Sequence, residues 1–91
     1  MSDYVISTDE FAVVLEGEQR RIKEEVARQY IACRKQKKMT QADVAAVAGM
    51  KRPNITRFET GDYNPTIDML VKVAECMGMT VEIKLVEKAK A

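Results

Sequence analysis

The sequence has no histidine and no tryptophan, only two cysteines and two prolines, and aromatic side chains at just Tyr4, Phe11, Tyr30, Phe58 and Tyr63. Each scarcity excludes something. Without histidine, the commonest general base and metal ligand is missing. Cys33 and Cys76 lie too far apart in sequence to form a paired-thiol zinc motif. Both sit among apolar neighbours in helical patterns, and are expected as small buried thiols in a reducing compartment. There is no glycine-rich phosphate loop and no nucleophile–base spacing, so no enzyme is expected and no cofactor or metal is implied. No apolar run approaches the ~18 residues of a membrane span. The acidic N-terminus lacks the form of a signal peptide. The expected location is the cytoplasm.

What is present is one domain's worth of chain, 91 residues, with a normal globular share of apolar side chains at 46%. With so few aromatics its core must be aliphatic, filled by Met and Ala. Net charge is only +1, but it is unevenly spread. Residues 1–19 hold five acids (Asp3, Asp9, Glu10, Glu16, Glu18) and no base. Residues 34–57 hold seven bases (Arg34, Lys35, Lys37, Lys38, Lys51, Arg52, Arg57) against one acid, Asp43. This asymmetry points to a basic working face and an acidic arm with another task.

Periodicity divides the chain. Residues 1–17 read as an acidic arm, with a short strand-like run at Tyr4–Ile6. Ser7 and Glu10 have capping-box spacing for a short helix over Thr8–Glu16, ended by Gly17. A longer helix follows over Glu18–Lys37, with Ile22, Val26, Tyr30 and Cys33 on one stripe. Thr40 caps a helix over Gln41–Ala48 that turns Val44, Ala45 and Ala48 inward and breaks at Gly49. Another begins near Arg52, with Pro53 in its first turn and Ile55 and Phe58 facing the core, and stops at Gly61. Asn64-Pro65 marks a turn, and Thr66 caps a helix with Ile67, Leu70, Val71 and Ala74 on its apolar face, ended by Gly78. Residues 18–78 form the main domain. Over 79–91 the period changes: Met79, Val81, Ile83 and Leu85 alternate with polar neighbours as in a one-sided strand, followed by a charged tail.

Two short helices joined by a glycine-containing turn, Thr40 to Gly61, form a helix-turn-helix pattern. A DNA major groove admits one helix with a polar face, an apolar back and a brace. Ile55 and Phe58 supply the back; the helix over Gln41–Ala48 supplies the brace. Arg34-Lys35-Gln36-Lys37-Lys38-Met39-Thr40-Gln41-Ala42-Asp43-Val44-Ala45 resembles the R-x-x-x-G-[LM]-[ST]-Q-x-x-[LV]-A of the XRE, or Cro/cI, proteins. Ile55-Thr56-Arg57-Phe58-Glu59-Thr60-Gly61 resembles their I-[ST]-R-x-E-x-G, and Pro65 falls where they open the next helix. The resemblance covers residues 29–79. It implies a mostly α, lambda-repressor-like DNA-binding domain of four to five helices, here with a C-terminal β-strand used in dimerisation.

By position, the resemblance makes Gln41 a phosphate contact at a helix N-terminus, where free N–H groups and the dipole favour an anion. It pairs Arg34 with Glu59. It turns Arg52, Pro53 and Arg57 to the base edges, with Lys51 and Asn54 at the groove margin and Thr56 also among the DNA-binding residues. Arginine can read guanine bidentately, whereas Pro53 donates nothing and can only touch a thymine methyl or shape the helix start. Three positions depart from the family. Lys38 replaces a turn glycine, so the turn either differs or carries a left-handed lysine. Lys51 replaces the usual Ser/Thr cap. Asp62 stands where a base often approaches phosphate.

A lone strand leaves its backbone groups unsatisfied. The strand at Met79–Val86 therefore needs a neighbour: its copy in a homodimer, with Met79, Val81, Ile83 and Leu85 at the interface, or Tyr4–Ile6 of the same chain. A homodimer also sets two recognition helices one DNA turn apart, as a palindromic site demands. A strand after the helical core resembles antitoxins of the HigA and HipB kinds. The resemblance implies bacterial, nucleoid-associated proteins that bind their own promoter and neutralise a toxin encoded beside them. The acidic arm is then a place to meet a small basic toxin. The expected partners are double-stranded DNA, a second copy and such a toxin, with no membrane. A stand-alone repressor and an antitoxin both fit the sequence.

Overall fold

A computed structural model describes residues 7–89. These hold four helices: α1 (Thr8–Gln36), α2 (Gln41–Ala48), α3 (Arg52–Glu59) and α4 (Ile67–Cys76). The 29 residues of α1 span about 43 Å at 1.5 Å per residue, close to the molecule's longest dimension of 46 Å. The other helices pack against its second half.

Helix α1 does not end at Gly17, as the sequence predicts, but runs through it. Nothing in the fold asks Gly17 for a left-handed turn, and its site is open, with no atom within 4 Å of where a Cβ would sit. A mid-helix glycine costs ~1 kcal/mol relative to alanine, too little to break a helix capped at Ser7 and packed over its second half. Ser7 accepts from the Glu10 N–H at 3.2 Å, and Asp9 and Glu10 lie at the positive end of the helix dipole. Further on, Glu18 pairs with Arg21 and Glu25 with Arg28.

The core lies where four helices meet. Val44, Ala45, Ile55, Phe58, Met69, Val73 and Met77 are buried, with Val26, Tyr30, Cys33, Met39 and Met50 packed around them. Tyr30 fixes α1 twice. Its ring meets Phe58 edge-on at 5.1 Å, and its hydroxyl donates to the Leu70 carbonyl at 2.8 Å. The apolar face of α4 is rotated from the expected one. Met69, Val73, Ala74 and Met77 are buried, whereas Ile67 and Val71 are about half exposed. Both sides of this helix are apolar, and packing against α2 selects one of them. Cys33 and Cys76 are half-buried free thiols rather than fully buried ones.

Three helix ends close in the same way. Met39 donates to Arg34 O, Met50 to Ala45 O and Met79 to Ala74 O, each at 2.9–3.0 Å. The residue before each methionine is left-handed: Lys38 at φ 57°, Gly49 at 66° and Gly78 at 70°. This is the Schellman closure, in which the left-handed position favours glycine. Of the two turn geometries open to Lys38, the strained one is adopted.

The expected strand over Met79–Val86 is not formed; among the described residues there is no strand at all. The physical reason is the one that demanded a neighbour. A strand needs a ladder partner, and among the described residues no other strand offers one; the alternative partner expected, Tyr4–Ile6, lies outside them. Val81 is half-buried, while Met79, Ile83 and Leu85 are 45%, 66% and 96% exposed.

Candidate nucleic-acid interface

Helix α3 is held from behind and open in front. Ile55 and Phe58 anchor its back, at 1% and 3% exposure. Arg52, Pro53, Thr56 and Arg57 are exposed and line one shallow surface hollow. Lys51 is exposed beside them, and Asn54 is half-buried. Lys51 makes no side-chain cap bond, as its replacement of Ser/Thr predicts, and Pro53 lies in the first turn.

The angle of α3 is set by a polar network. Arg34 and Glu59 form a two-pronged pair, Nε to Oε2 at 2.7 Å and Nη2 to Oε1 at 3.0 Å. Arg34 Nη1 also donates to the Met39 carbonyl at 2.9 Å, tying the pair to the strained turn at Lys38. The two side chains are only 13% and 9% exposed. Donating to the Glu59 carboxylate holds the Arg34 guanidinium further above its ordinary value, against the opposing pull of burial. Six of the seven bases in residues 34–57 are therefore presented to solvent, and the seventh, Arg34, is consumed inside.

Gln41 extends this network. Its Nε2 donates to Glu59 Oε1 at 3.0 Å, and its Oε1 accepts from the Thr56 hydroxyl at 2.8 Å. The amide predicted to meet phosphate thus also bridges α2 to the second half of α3. Thr40 and Asp43 complete a capping box at the start of α2: Asp43 N–H donates to Thr40 Oγ1 at 3.0 Å, and Thr40 N–H to Asp43 Oδ2 at 2.8 Å. The Thr40 backbone N–H, then its side chain, hold the Asp43 carboxyl below its usual range. That negative charge partly offsets the attraction of this helix end for an anion.

Gly61 is the contact that sequence reasoning missed. At φ 79° it is buried against α1, where an added Cβ would stand 3.3 Å from Glu24 Cα. The signal was the glycine itself, read as a helix stop and not as a close approach. Of the four residues assigned to dimerisation, Met79, Ile83 and Leu85 are exposed and Val81 is half-covered. Among the described residues no cluster could hold a metal ion, and no helix is long and apolar enough to cross a membrane.

Comparison with known proteins bears on the same region. The family model described as Helix-turn-helix matches residues 31–83. The chain is similar to the uncharacterised HTH-type transcriptional regulator YqaE of Bacillus subtilis, 34% identical over 53 residues, which cover 58% of this chain and 46% of that protein. It is also similar to an uncharacterised HTH-type transcriptional regulator of Haemophilus influenzae, 32% identical over 56 residues, 62% of this chain and 57% of the other. The chain spans about half the length of these curated relatives. Among solved structures, a chain of the toxin–antitoxin module from Streptococcus pneumoniae is similar, with a TM-score of 0.59, 28% identity, and coverage of 91% of this chain and 85% of that one.

Proposed function

This chain belongs to the Helix-turn-helix family, and on that premise we propose that it is a sequence-specific DNA-binding transcriptional regulator that represses as a dimer on a palindromic operator. One observation carries the reading. The basic face of α3 is fully presented while its back and its angle are fixed by Phe58 and by the Arg34–Glu59 pair. A helix so held can enter a major groove without reorganising. Arg52 and Arg57 read base edges. Pro53 shapes the entry, and Thr56 is placed by Gln41. Lys51, Asn54 and Gln41 meet phosphate or the groove margin. Dimerisation uses the exposed apolar side chains of residues 79–85. The protein works in the cytoplasm, where its DNA is.

A second reading is favoured by the structural similarity. The likeness to the toxin–antitoxin module covers 91% of the chain, and so reaches well beyond the matched family region. On this reading the protein is an antitoxin that binds its own promoter and a toxin protein.

The test of DNA reading is a binding series on a duplex taken from upstream of its own gene. Affinity should fall with a log–log salt slope near −0.9 per phosphate neutralised. Arg57→Ala should lose ~1–3 kcal/mol of preference for that duplex over a scrambled one. Lys35→Ala should weaken both duplexes equally. An equal effect of the two variants would remove Arg57 from base readout.

A further inference from the structure

Among the described residues, Lys38 is the one residue other than glycine with a left-handed backbone. It stands where the family carries a turn glycine, and at φ 57° it closes α1 as Gly49 and Gly78 close α2 and α4. The turn is held from both sides. Lys38 N–H donates to Lys35 O and Met39 N–H to Arg34 O, each at 3.0 Å, and Arg34 Nη1 donates to the Met39 carbonyl at 2.9 Å. A residue kept in a disfavoured conformation by its surroundings points to a task for its side chain. The folded chain gives this one none. Lys38 is exposed, and among the described residues its ammonium joins no ion pair.

Its position supplies the task. Gln41 follows three residues on, and its amide takes a hydrogen bond from the Thr56 hydroxyl at 2.8 Å. Thr56 lies with Arg52, Pro53 and Arg57 on the exposed face of α3. The turn at Lys38 therefore flanks that face. At most about 11 Å of chain separates the Lys38 and Gln41 Cα atoms, and a lysine stem extends roughly 6 Å beyond its Cα. Asp43 stands between them and the rest of α2, its carboxylate bonded to the Thr40 N–H at 2.8 Å, and it opposes an approaching anion. Gln41 brings no charge to offset it; Lys38 does.

We propose that Lys38 contacts the DNA backbone beside the groove that α3 enters, and that the strained turn is kept for this contact. The proposal deepens the DNA-binding reading and rests on it. A duplex supplies the anionic partner that the folded chain does not. A role as a helix-end charge is the weaker account, because Arg34 and Lys35 already place bases in the last turn of α1. An ammonium on a flexible stem meets phosphate as a point charge and reads no base. Lys38 thus sets how tightly any duplex is held, while Arg52 and Arg57 set which duplex is preferred.

The test compares Lys38→Gly, Lys38→Asn and Lys38→Arg with the parent chain. Each is titrated with the duplex from upstream of its own gene and with the scrambled duplex, across a salt series, and each is melted. Glycine relieves the turn and asparagine tolerates it; both remove the charge. Arginine keeps charge and strain together. Lys38→Gly should melt at or above the parent and yet bind both duplexes about threefold or more weaker at low salt. Its log–log salt slope should be shallower by about 0.9 for each copy bound. Lys38→Asn should show the same loss, and Lys38→Arg should keep the affinity and slope of the parent. The preference between the two duplexes should be that of the parent in all three. If Lys38→Gly keeps the parent's affinity and slope, the ammonium meets no phosphate and the proposal is overturned while the DNA reading stands. If Lys38→Gly melts below the parent, the lysine serves the fold and the proposal is likewise overturned. If the variants lose preference between duplexes as Arg57→Ala does, the position is not a backbone contact. A parent chain that binds neither duplex defeats the DNA reading, and the proposal falls with it.

Discussion

Lys38 holds a conformation that its side chain disfavours. At φ 57° it occupies the left-handed position that Gly49 and Gly78 fill at the ends of α2 and α4. A non-glycine residue there costs ~1–2 kcal/mol, partly offset because glycine has more unfolded-state freedom to lose. Lys38→Gly should therefore stabilise by ~0.5–1 kcal/mol and raise the melting temperature by a few degrees. A fall in thermal denaturation would mean that the lysine side chain has a role in the folded state beyond its turn. Glu59 predicts the opposite. Glu59→Gln keeps the shape and strands the Arg34 guanidinium, which is 13% exposed. Breaking a largely buried pair costs ~3 kcal/mol or more, so the melting temperature should drop by more than about 10 °C. The double change Arg34→Met with Glu59→Leu should recover much of that loss, since an apolar pair strands no charge. If the double variant melts no higher than the single one, the pair itself holds α3.

At the scale of the element, Gly17 is a residue without a conformational task. It sits inside α1 with open space around it. Gly17→Ala should stabilise α1 by ~1 kcal/mol and leave DNA binding unchanged; circular dichroism during melting checks it. Gly61→Ala would not be benign, because its Cβ would meet the backbone of α1 at 3.3 Å. This contrast explains what the sequence could show. The bounds of α2, α3 and α4 were legible because local chemistry marks them: Thr40 and Thr66 accept from the third N–H of their helices, and left-handed glycines close two of them. The continuity of α1 was not legible. A glycine that stops a helix and one that is only tolerated look alike until the neighbours are known. The rotation of α4 was hidden for a related reason. Ile67 and Val71 are as apolar as Met69 and Val73, and only α2 decides which pair is buried. In the site, the exposed face of α3 and the partners Arg34 and Glu59 could be named from their pattern. The bridging of Gln41 to Glu59 and Thr56 could not, because 18 and 15 residues separate side chains that only the fold brings together.

The whole molecule separates its surfaces: a basic face on α3, a first half of α1 whose charged residues are mostly acids, and a C-terminal segment with exposed apolar side chains. The last of these is the least satisfied. Ile83 and Leu85 are 66% and 96% exposed, and among the described residues no strand includes them. If residues 79–85 pair two copies, a charge placed there should separate them without disturbing the core. Ile83→Asp with Leu85→Asp is thus expected to turn a dimer into a monomer in sedimentation equilibrium, with an unchanged helical spectrum. Its effect on DNA follows from geometry. Two tethered recognition helices turn the second half-site contact into an intramolecular event, worth ~10²–10⁴ in affinity. The monomer should lose a factor in that range on a palindromic duplex, and its salt slope should fall to about half, because half the phosphates are met. A double variant that remains dimeric would move the interface elsewhere, and the exposed pair Ile67 and Val71 on α4 is where a second round of substitutions should begin.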